Sequence, residues 1–349
     1  MAAEYDRNRQ KAPDHYFCHT REWARQSGLN MYTTYIPLCV ESRHPVFVAV
    51  IPDGRVWGDS GTVITPDNYL LWDVSYHWTE DPLLHPVFRE AALPEVRHVP
   101  GSLAVLNTVG SANYYHWMYD VLPRILLLRM SGVHVDTYLI GCNPRPFQLE
   151  TLAAFGISPH HVVPSEPFLH IQADRLIVPA LRRGERWAYS CLRNTFARFH
   201  HGTTAARRIY ISRAGVGWRT VVNEAQVASL LSSCGFETVY PEAMPVREQV
   251  RLFSSAQMVI SSTGSALTNL TFSKRGTKVL EFFSPHFLPS EIKQICLYGG
   301  LRHWSMICKA VRPRAFADSS NYWPGCDNVE VNLSELSHLL QQMGVKTQP

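Results

Sequence analysis

Met258-Val-Ile-Ser-Ser-Thr-Gly-Ser-Ala-Leu-Thr-Asn269 reads as an apolar strand, a turn of small residues and the start of a helix. Gly264 lets a ligand approach the backbone closely, and the first amides of the helix point outward without intrahelical partners. With the helix dipole behind them, those amides suit a phosphate group. An ordinary tight strand-to-helix turn fits the same residues. Neither a dinucleotide GxGxxG nor a P-loop GxxxxGK[ST] is present, and Gly215-Val-Gly217 lacks the third glycine.

Outward from this stretch the same rhythm continues. Apolar strands are predicted at 208–212, 236–240, 258–261, 279–283 and 303–307, with helices at 223–234, 245–255, 265–272 and 289–298. Strands alternating with helices of about ten residues build βαβ units and a parallel sheet. A strand order of 2-1-3-4-5 sets the first and third strands side by side at the switch point, where such sheets bind ligands. Arg213 at the end of the first strand, the Ser262–Ser265 turn after the third and Glu281 near the end of the fourth then line one crevice. Arginine can pair two diphosphate oxygens, and a carboxylate can accept both ribose hydroxyls. Each of these residues also fits a surface salt bridge. A strand-like piece at Val329 and a helix capped by Ser334 end the chain.

The first half is less regular. Short apolar runs at 46–51, 62–64 and 69–71, separated by Pro52-Asp53-Gly54, Gly58-Asp59 and Pro66-Asp67-Asn68, predict a β-meander. Further strands are expected at 103–107, 138–140 and 175–178, with helices at 114–130, 146–155 and 187–199. His200-His201-Gly202-Thr203-Thr204 reads as a linker. Within the helix, Asn113-Tyr-Tyr-His-Trp-Met-Tyr-Asp-Val-Leu-Pro-Arg124 places His116, Asp120 and Arg124 at i, i+4 and i+8, one polar stripe. Pro123 kinks that helix near Asp120 unless a new helix starts there. Polar groups in so apolar a segment are costly unless paired or facing a cleft. A carboxylate beside an imidazole is an acid–base pair; an internal His–Asp–Arg network that fixes the helix is the other reading.

Composition bounds what remains. The chain has 349 residues, 46% hydrophobic and 18% charged, enough for about two domains with their own cores. Its net charge of +4 is too balanced for a nucleic-acid or acidic-membrane partner. No run approaches the roughly 18 apolar residues of a membrane span, and the polar N-terminus lacks a signal-peptide core. The expectation is a soluble protein, cytoplasmic or peripheral at the inner face of the membrane. The eight cysteines form no CxxC pair, so free thiols are expected. HExxH, GxSxG, EF-hand and DxD patterns are missing, so no metal site is predicted. His160-His161 and His200-His201 read as solvated loops.

At this point the residues resemble glycosyltransferase family 61, in style closest to its bacterial, capsule-biosynthesis branch. The segment Asn113–Arg124 is similar to the family's first signature. Arg208-Ile-Tyr-Ile-Ser-Arg213, followed by Arg219 and Asn223-Glu224, is similar to its second. Leu252-Phe-Ser-Ser-Ala256 through Gly264–Asn269, with Gly276-Thr-Lys-Val-Leu-Glu281, is similar to its third. The resemblance implies an α/β fold of GT-B type, two Rossmann-like domains facing a central cleft, with an antiparallel β extension in the N-terminal half. It also implies inverting, metal-independent transfer from a nucleotide sugar, typically UDP-linked, with no further cofactor. Donor-binding roles fall on Arg213, Arg219, Ser262, Thr263, Gly264, Ser265, Asn269 and Glu281. In one departure, Thr263 stands where the family usually has a histidine.

The resulting expectation is an N-terminal arm (1–35), an acceptor domain (36–202), a nucleotide-sugar domain (203–310) and a tail with a closing helix (311–349). Asp120 is expected as the base that deprotonates the acceptor hydroxyl, positioned by His116, with the reverse assignment open. Asn113, Tyr115, Trp117 and Arg124 are expected in acceptor or structural roles. The partners are a nucleotide-sugar donor and a glycan or glycoconjugate acceptor; the oligomeric state is left open. A catalytically degenerate nucleotide-sugar or glycan-binding module, suggested by Thr263, and a Rossmann oxidoreductase, disfavoured by the missing glycine fingerprint, are the competing classes.

Overall fold

The computed structural model describes residues 17–28, 46–141, 143–180, 186–200, 206–316, 320 and 322–346. It is a mixed α/β structure that divides between Leu192 and Arg193 into two compact units. Most of the expected N-terminal arm, residues 201–204 of the expected linker, Cys39 and Cys142 lie outside the described residues.

The first unit begins with β1 (Phe17–Cys18) and α1 (Thr20–Gln26), followed by β2 (Phe47–Pro52), β3 (Arg55–Trp57), β4 (Thr62–Ile64) and β5 (Leu70–Leu71). Then come β6 (Arg97–Val105), α2 (Tyr114–His116), α3 (Leu122–Ser131), β7 (Thr137–Ile140), α4 (Pro146–Ala154), β8 (Val162–Pro164) and β9 (His170–Ala180). Their nine strands form one sheet in the order β1-β5-β4-β3-β9-β6-β7-β8, with β2 also on β9. β9, β6, β7 and β8 run parallel, and β2 to β5 supply the antiparallel part. The meander is therefore corrected. Only β3, β4 and β5 follow one another; β2 pairs with β9 from Phe47↔Ala180 to Pro52↔Arg175, with a long sequence separation no local turn signal can announce. Phe47, Ala49 and Ile51 alternate into the core beside Leu103, Val105, Ile171, Leu176 and Val178. The phase of β9 slips by one residue at Asp174–Arg175, where two successive residues are exposed.

α5 (Arg186–Phe196) crosses the division between the units. The second unit continues with β10 (Arg207–Ile211), α6 (Glu224–Ser233), β11 (Phe236–Val239), α7 (Val246–Ser254), β12 (Ala256–Ser262), a 3₁₀ helix (Ser265–Phe272) and β13 (Lys278–Phe283). It ends with α8 (Glu291–Gly299), β14 (Arg302–Ile307), β15 (Lys309–Val311), β16 (Asn328–Glu330) and α9 (Leu333–Gln342). The five long strands are all parallel in the order β11-β10-β12-β13-β14, the 2-1-3-4-5 order supposed from the sequence. Met258, Ile260, Leu280, Phe282 and Met306 turn one face of the sheet onto Val227 and Leu231 of α6 and Leu336 and Leu340 of α9. β15 and β16 form a separate antiparallel pair. Asn332, not Ser334, caps α9: its side chain accepts from the amides of Ser334 and Glu335.

Candidate active site

In the first unit, the helix that carries the polar stripe is not continuous α-helix. Trp117–Val121 is a π turn between α2 and α3, with the Leu122 amide reaching back to the Trp117 carbonyl. Pro123 explains it. The ring lacks the N–H that would bond to Tyr119 in an α-ladder, and widening by one residue lets the chain restart with Pro123 in the first turn of α3. Asp120 lies inside this π turn. Its carboxylate Oδ2 is 2.8 Å from His116 Nδ1.

The two groups differ in access. The Asp120 side chain is 3% exposed and that of His116 20%. A buried carboxylate on Nδ1 selects the tautomer with the proton there and leaves Nε2 as the basic nitrogen. This is the reverse of the expected ordering: the imidazole is the reachable group, and Asp120 stands behind it. Trp78 and Tyr115 flank the imidazole, each edge-on with ring centroids 5.4 Å away. Trp78 is half exposed and holds φ +50°, a left-handed conformation rare for so bulky a residue. Its position against His116 was not foreseen, because nothing in Tyr76-His77-Trp78 announces the contact.

The other residues of the signature hold this element in place. Asn113 is the N-cap of α2 and accepts from the Tyr115 amide. Trp117 is fully buried and donates from Nε1 to Thr151 Oγ1 at 2.7 Å. Tyr115 stacks on Tyr119, and Arg124 is buried along α3.

In the second unit, Arg213 follows β10 at the carboxyl edge of the sheet. It is 8% exposed, and its Nη2 donates to the Trp218 carbonyl at 3.3 Å. Burial, then the nearby Arg219, brings its pKa down to about 10. Arg219 is held by the Gly325 carbonyl at 2.7 Å and lies over the Phe287 ring at 4.2 Å, with Trp323 beyond. Burial lowers its pKa as well. Among the described residues neither guanidinium has a carboxylate within 4 Å; Glu242 and Glu291 act on them only at longer range. Two desolvated cations near each other without a paired anion are costly, so an anion is the complement this arrangement lacks. Phe287 and Trp323 were not singled out in the sequence, since their role depends on a contact across more than 60 residues.

Gly264 sits directly against Arg213. A Cβ built there would lie 2.7 Å from the guanidinium carbon and closer still to Nη1. Its φ of 170° is open to any residue, so close approach rather than backbone freedom calls for glycine. Ser262 Oγ and Arg213 Nε are both buried without a hydrogen-bond partner among the described residues. Buried polar atoms without partners call for an explanation, and a polar ligand group at this sheet edge is one. Ser265 is half-buried at the start of the 3₁₀ helix, and Thr263 is buried with its amide on the Phe282 carbonyl.

Two expected donor residues are placed differently. Asn269 is fully buried and donates to Gln249 Oε1 at 2.7 Å, joining the 3₁₀ helix to α7. Glu281 is also fully buried, with Oε2 on His303 Nε2 at 2.9 Å. The alternation along β13 turns Glu281 onto the sheet face opposite Leu280 and Phe282, so it does not line an open crevice beside Arg213.

Among the described residues no cluster of three or more His, Cys, Asp or Glu side chains could hold a metal ion, and no helix is long and apolar enough to cross a membrane. The described cysteines Cys18, Cys191, Cys234, Cys296, Cys308 and Cys326 are free. No curated protein matches the chain. The model of the family Glycosyltransferase 61 matches residues 114–280, from the first residue of α2 into β13, and takes in His116, Asp120, Arg213, Arg219 and Gly264; on this match the protein is a glycosyltransferase, with a donor and an acceptor as its substrates.

Proposed function

We propose that the enzyme transfers a sugar from a nucleoside-diphosphate donor, UDP-linked in the first instance, to a hydroxyl of a glycan or glycoconjugate, with inversion and without a metal. The observation that carries this reading is the pair Arg213, buried and packed on the Gly264 turn, and Arg219, half-buried, neither with a carboxylate within 4 Å among the described residues. A diphosphate supplies the anion they lack. As the sugar–phosphate bond breaks, negative charge grows on the leaving diphosphate, and fixed cations in a desolvated place stabilise it most at that moment.

In the first unit, His116 Nε2 takes the proton from the acceptor hydroxyl while that oxygen attacks C1 of the donor sugar. Asp120 holds the ring and stabilises the imidazolium that forms, the role a buried carboxylate plays behind a catalytic histidine. This assigns the base to His116 and the positioning role to Asp120. Arg213 and Arg219 hold the diphosphate; Ser262 Oγ and the Ser265 turn add hydrogen bonds. The GT-B arrangement and the likeness to capsule-biosynthesis enzymes belong to the same proposal.

Arg213→Ala should abolish binding of UDP measured by calorimetry, whereas His116→Ala should leave that binding and remove transfer. Unchanged UDP affinity in Arg213→Ala contradicts the donor assignment. Thr263 favours the competing reading, a sugar-binding module without chemistry; binding with no transfer to any acceptor would establish it.

A further inference from the structure

A cavity of about 730 Å³ opens in the second unit at the carboxyl edge of the parallel sheet. Its wall includes Ala214, Gly217 and Thr220 from the loop after β10, Glu224 from the first turn of α6, and Arg312 and Asn328 from the segment beyond β14. Part of the wall comes from the loop after β10, the strand at which the order reverses between β11 and β12 and beside which parallel sheets bind ligands. The volume falls within the range of small-molecule sites.

The loop also links the cavity to the two arginines. Ala214 follows Arg213 and Thr220 follows Arg219, so the segment that presents the guanidinium groups also builds the cavity wall. The arginines themselves do not line the cavity; their chain neighbours Ala214 and Thr220 do. Within the wall Glu224 is fixed: Tyr210 OH, rooted in the buried core, donates to its Oε1 at 3.0 Å. Among the described residues its Oε2 takes part in no hydrogen bond or ion pair within bonding distance. A carboxylate with one oxygen pinned and one left over is an acceptor for a hydroxyl group. Glu281, the residue expected to take the ribose hydroxyls, is fully buried against His303 and does not line this cavity.

We infer that the cavity takes the nucleoside half of the donor, and that Glu224 rather than Glu281 accepts a ribose hydroxyl. The inference rests on the donor reading above. The test compares inorganic pyrophosphate with UDP, 2′-deoxy-UDP, 3′-deoxy-UDP, CDP, GDP and ADP by calorimetry, on the native chain and on Glu224→Gln. The native chain should bind at least one ribonucleoside diphosphate tenfold or more tighter than pyrophosphate. Glu224→Gln should remove about tenfold of that advantage and leave pyrophosphate unchanged. Deleting the matching hydroxyl from the ligand should cost the native chain a similar factor and cost the variant almost nothing further. Should Glu224→Gln fail to melt like the native chain, Glu224→Asp, which withdraws the carboxylate by one methylene, takes its place in the same cycle. Equal losses on deoxygenation in native and variant chains overturn the Glu224 assignment. Pyrophosphate binding without any gain from a nucleoside overturns this inference and leaves the donor reading standing. Failure of the native chain to bind either ligand overturns both.

Discussion

Replacing Gly264 by alanine adds one methyl group, and the structure says where its effect must fall. The backbone at φ 170° accepts alanine, so no conformational strain arises. The new Cβ would sit 2.7 Å from the Arg213 guanidinium carbon, which forces that side chain out of its place. Among the described residues little holds it there: one hydrogen bond of 3.3 Å to the Trp218 carbonyl, worth about 0.5–1.5 kcal/mol net. Stability should therefore change by no more than about that amount. Binding is another matter. On the proposed donor reading Arg213 makes two charge-assisted hydrogen bonds to the diphosphate, each worth roughly 1.5–3 kcal/mol. Losing both costs about 3–6 kcal/mol, or about 10²- to 10⁴-fold in donor affinity at 1.4 kcal/mol per decade.

Gly276 provides the contrast. It holds φ +87°, where a side chain is strained by about 1–2 kcal/mol, yet a Cβ there would meet nothing within 4 Å. Gly276→Ala should lower the unfolding free energy by that amount and leave donor affinity alone. Denaturant unfolding and UDP calorimetry on both variants separate the two effects. Native-like UDP affinity in Gly264→Ala would refute the reasoning, as would a loss of binding in Gly276→Ala of the same size.

Asp120→Asn should reduce transfer by about 10²- to 10⁴-fold while UDP affinity holds, since the amide no longer stabilises an imidazolium on Nδ1; steady-state kinetics beside calorimetry check this. Asn269→Ala should lower stability by about 1–3 kcal/mol in urea titration, because Gln249 Oε1 loses its partner in the core, and a drop in donor affinity without a stability loss would restore Asn269 to the binding site. Acid should weaken the first unit. Burial holds the pKa of His85 and His170 down near 4, with His77 adding to the effect at His85 and Arg55 at His170, where the hydrogen bond to the Pro94 carbonyl opposes it. Their folded values lie below the unfolded one, so the stability they support is complete above about pH 6.5 and falls as pH drops toward 4, by up to about 1.4 kcal/mol per pH unit for each group. Asn at both positions keeps the short hydrogen bonds without the titration, and thermal melts of that double variant should lose most of the acid dip.

How far the sequence reaches depends on the range of the interaction. The second unit was legible because its strands are apolar runs, its helices are amphipathic, and βαβ connections leave few topologies open, among them the observed 2-1-3-4-5 order. The His116–Asp120 contact was legible for the same reason, being an i, i+4 pair. The π turn was half legible: Pro123 requires a break near Asp120, but sequence does not choose between a kink, a restart and a widened turn. β2 on β9 was not legible, because its pairing spans more than a hundred residues.

In the site, motif position did not reveal which way a side chain turns. Asn269 and Glu281 stand where a binding motif would put them, yet Asn269 bonds to the buried Gln249 and Glu281 Oε2 to His303, leaving Glu281 Oε1 buried without a partner among the described residues. Glu224 was in view as part of the Asn223-Glu224 motif, but only the cavity and the Tyr210 contact give it a role. The order of Asp120 and His116 depended on burial, which an i, i+4 spacing does not carry.

The most direct test is transfer itself. The full chain, with a chelator present, is incubated with a panel of nucleoside-diphosphate sugars and oligosaccharide acceptors, and the anomeric proton of the product is followed by NMR. The account predicts acceptor-dependent release of the nucleoside diphosphate and a product of inverted anomeric configuration, both lost in His116→Ala and in Arg213→Ala. A retained configuration, a requirement for added metal, or full transfer by either variant would contradict it.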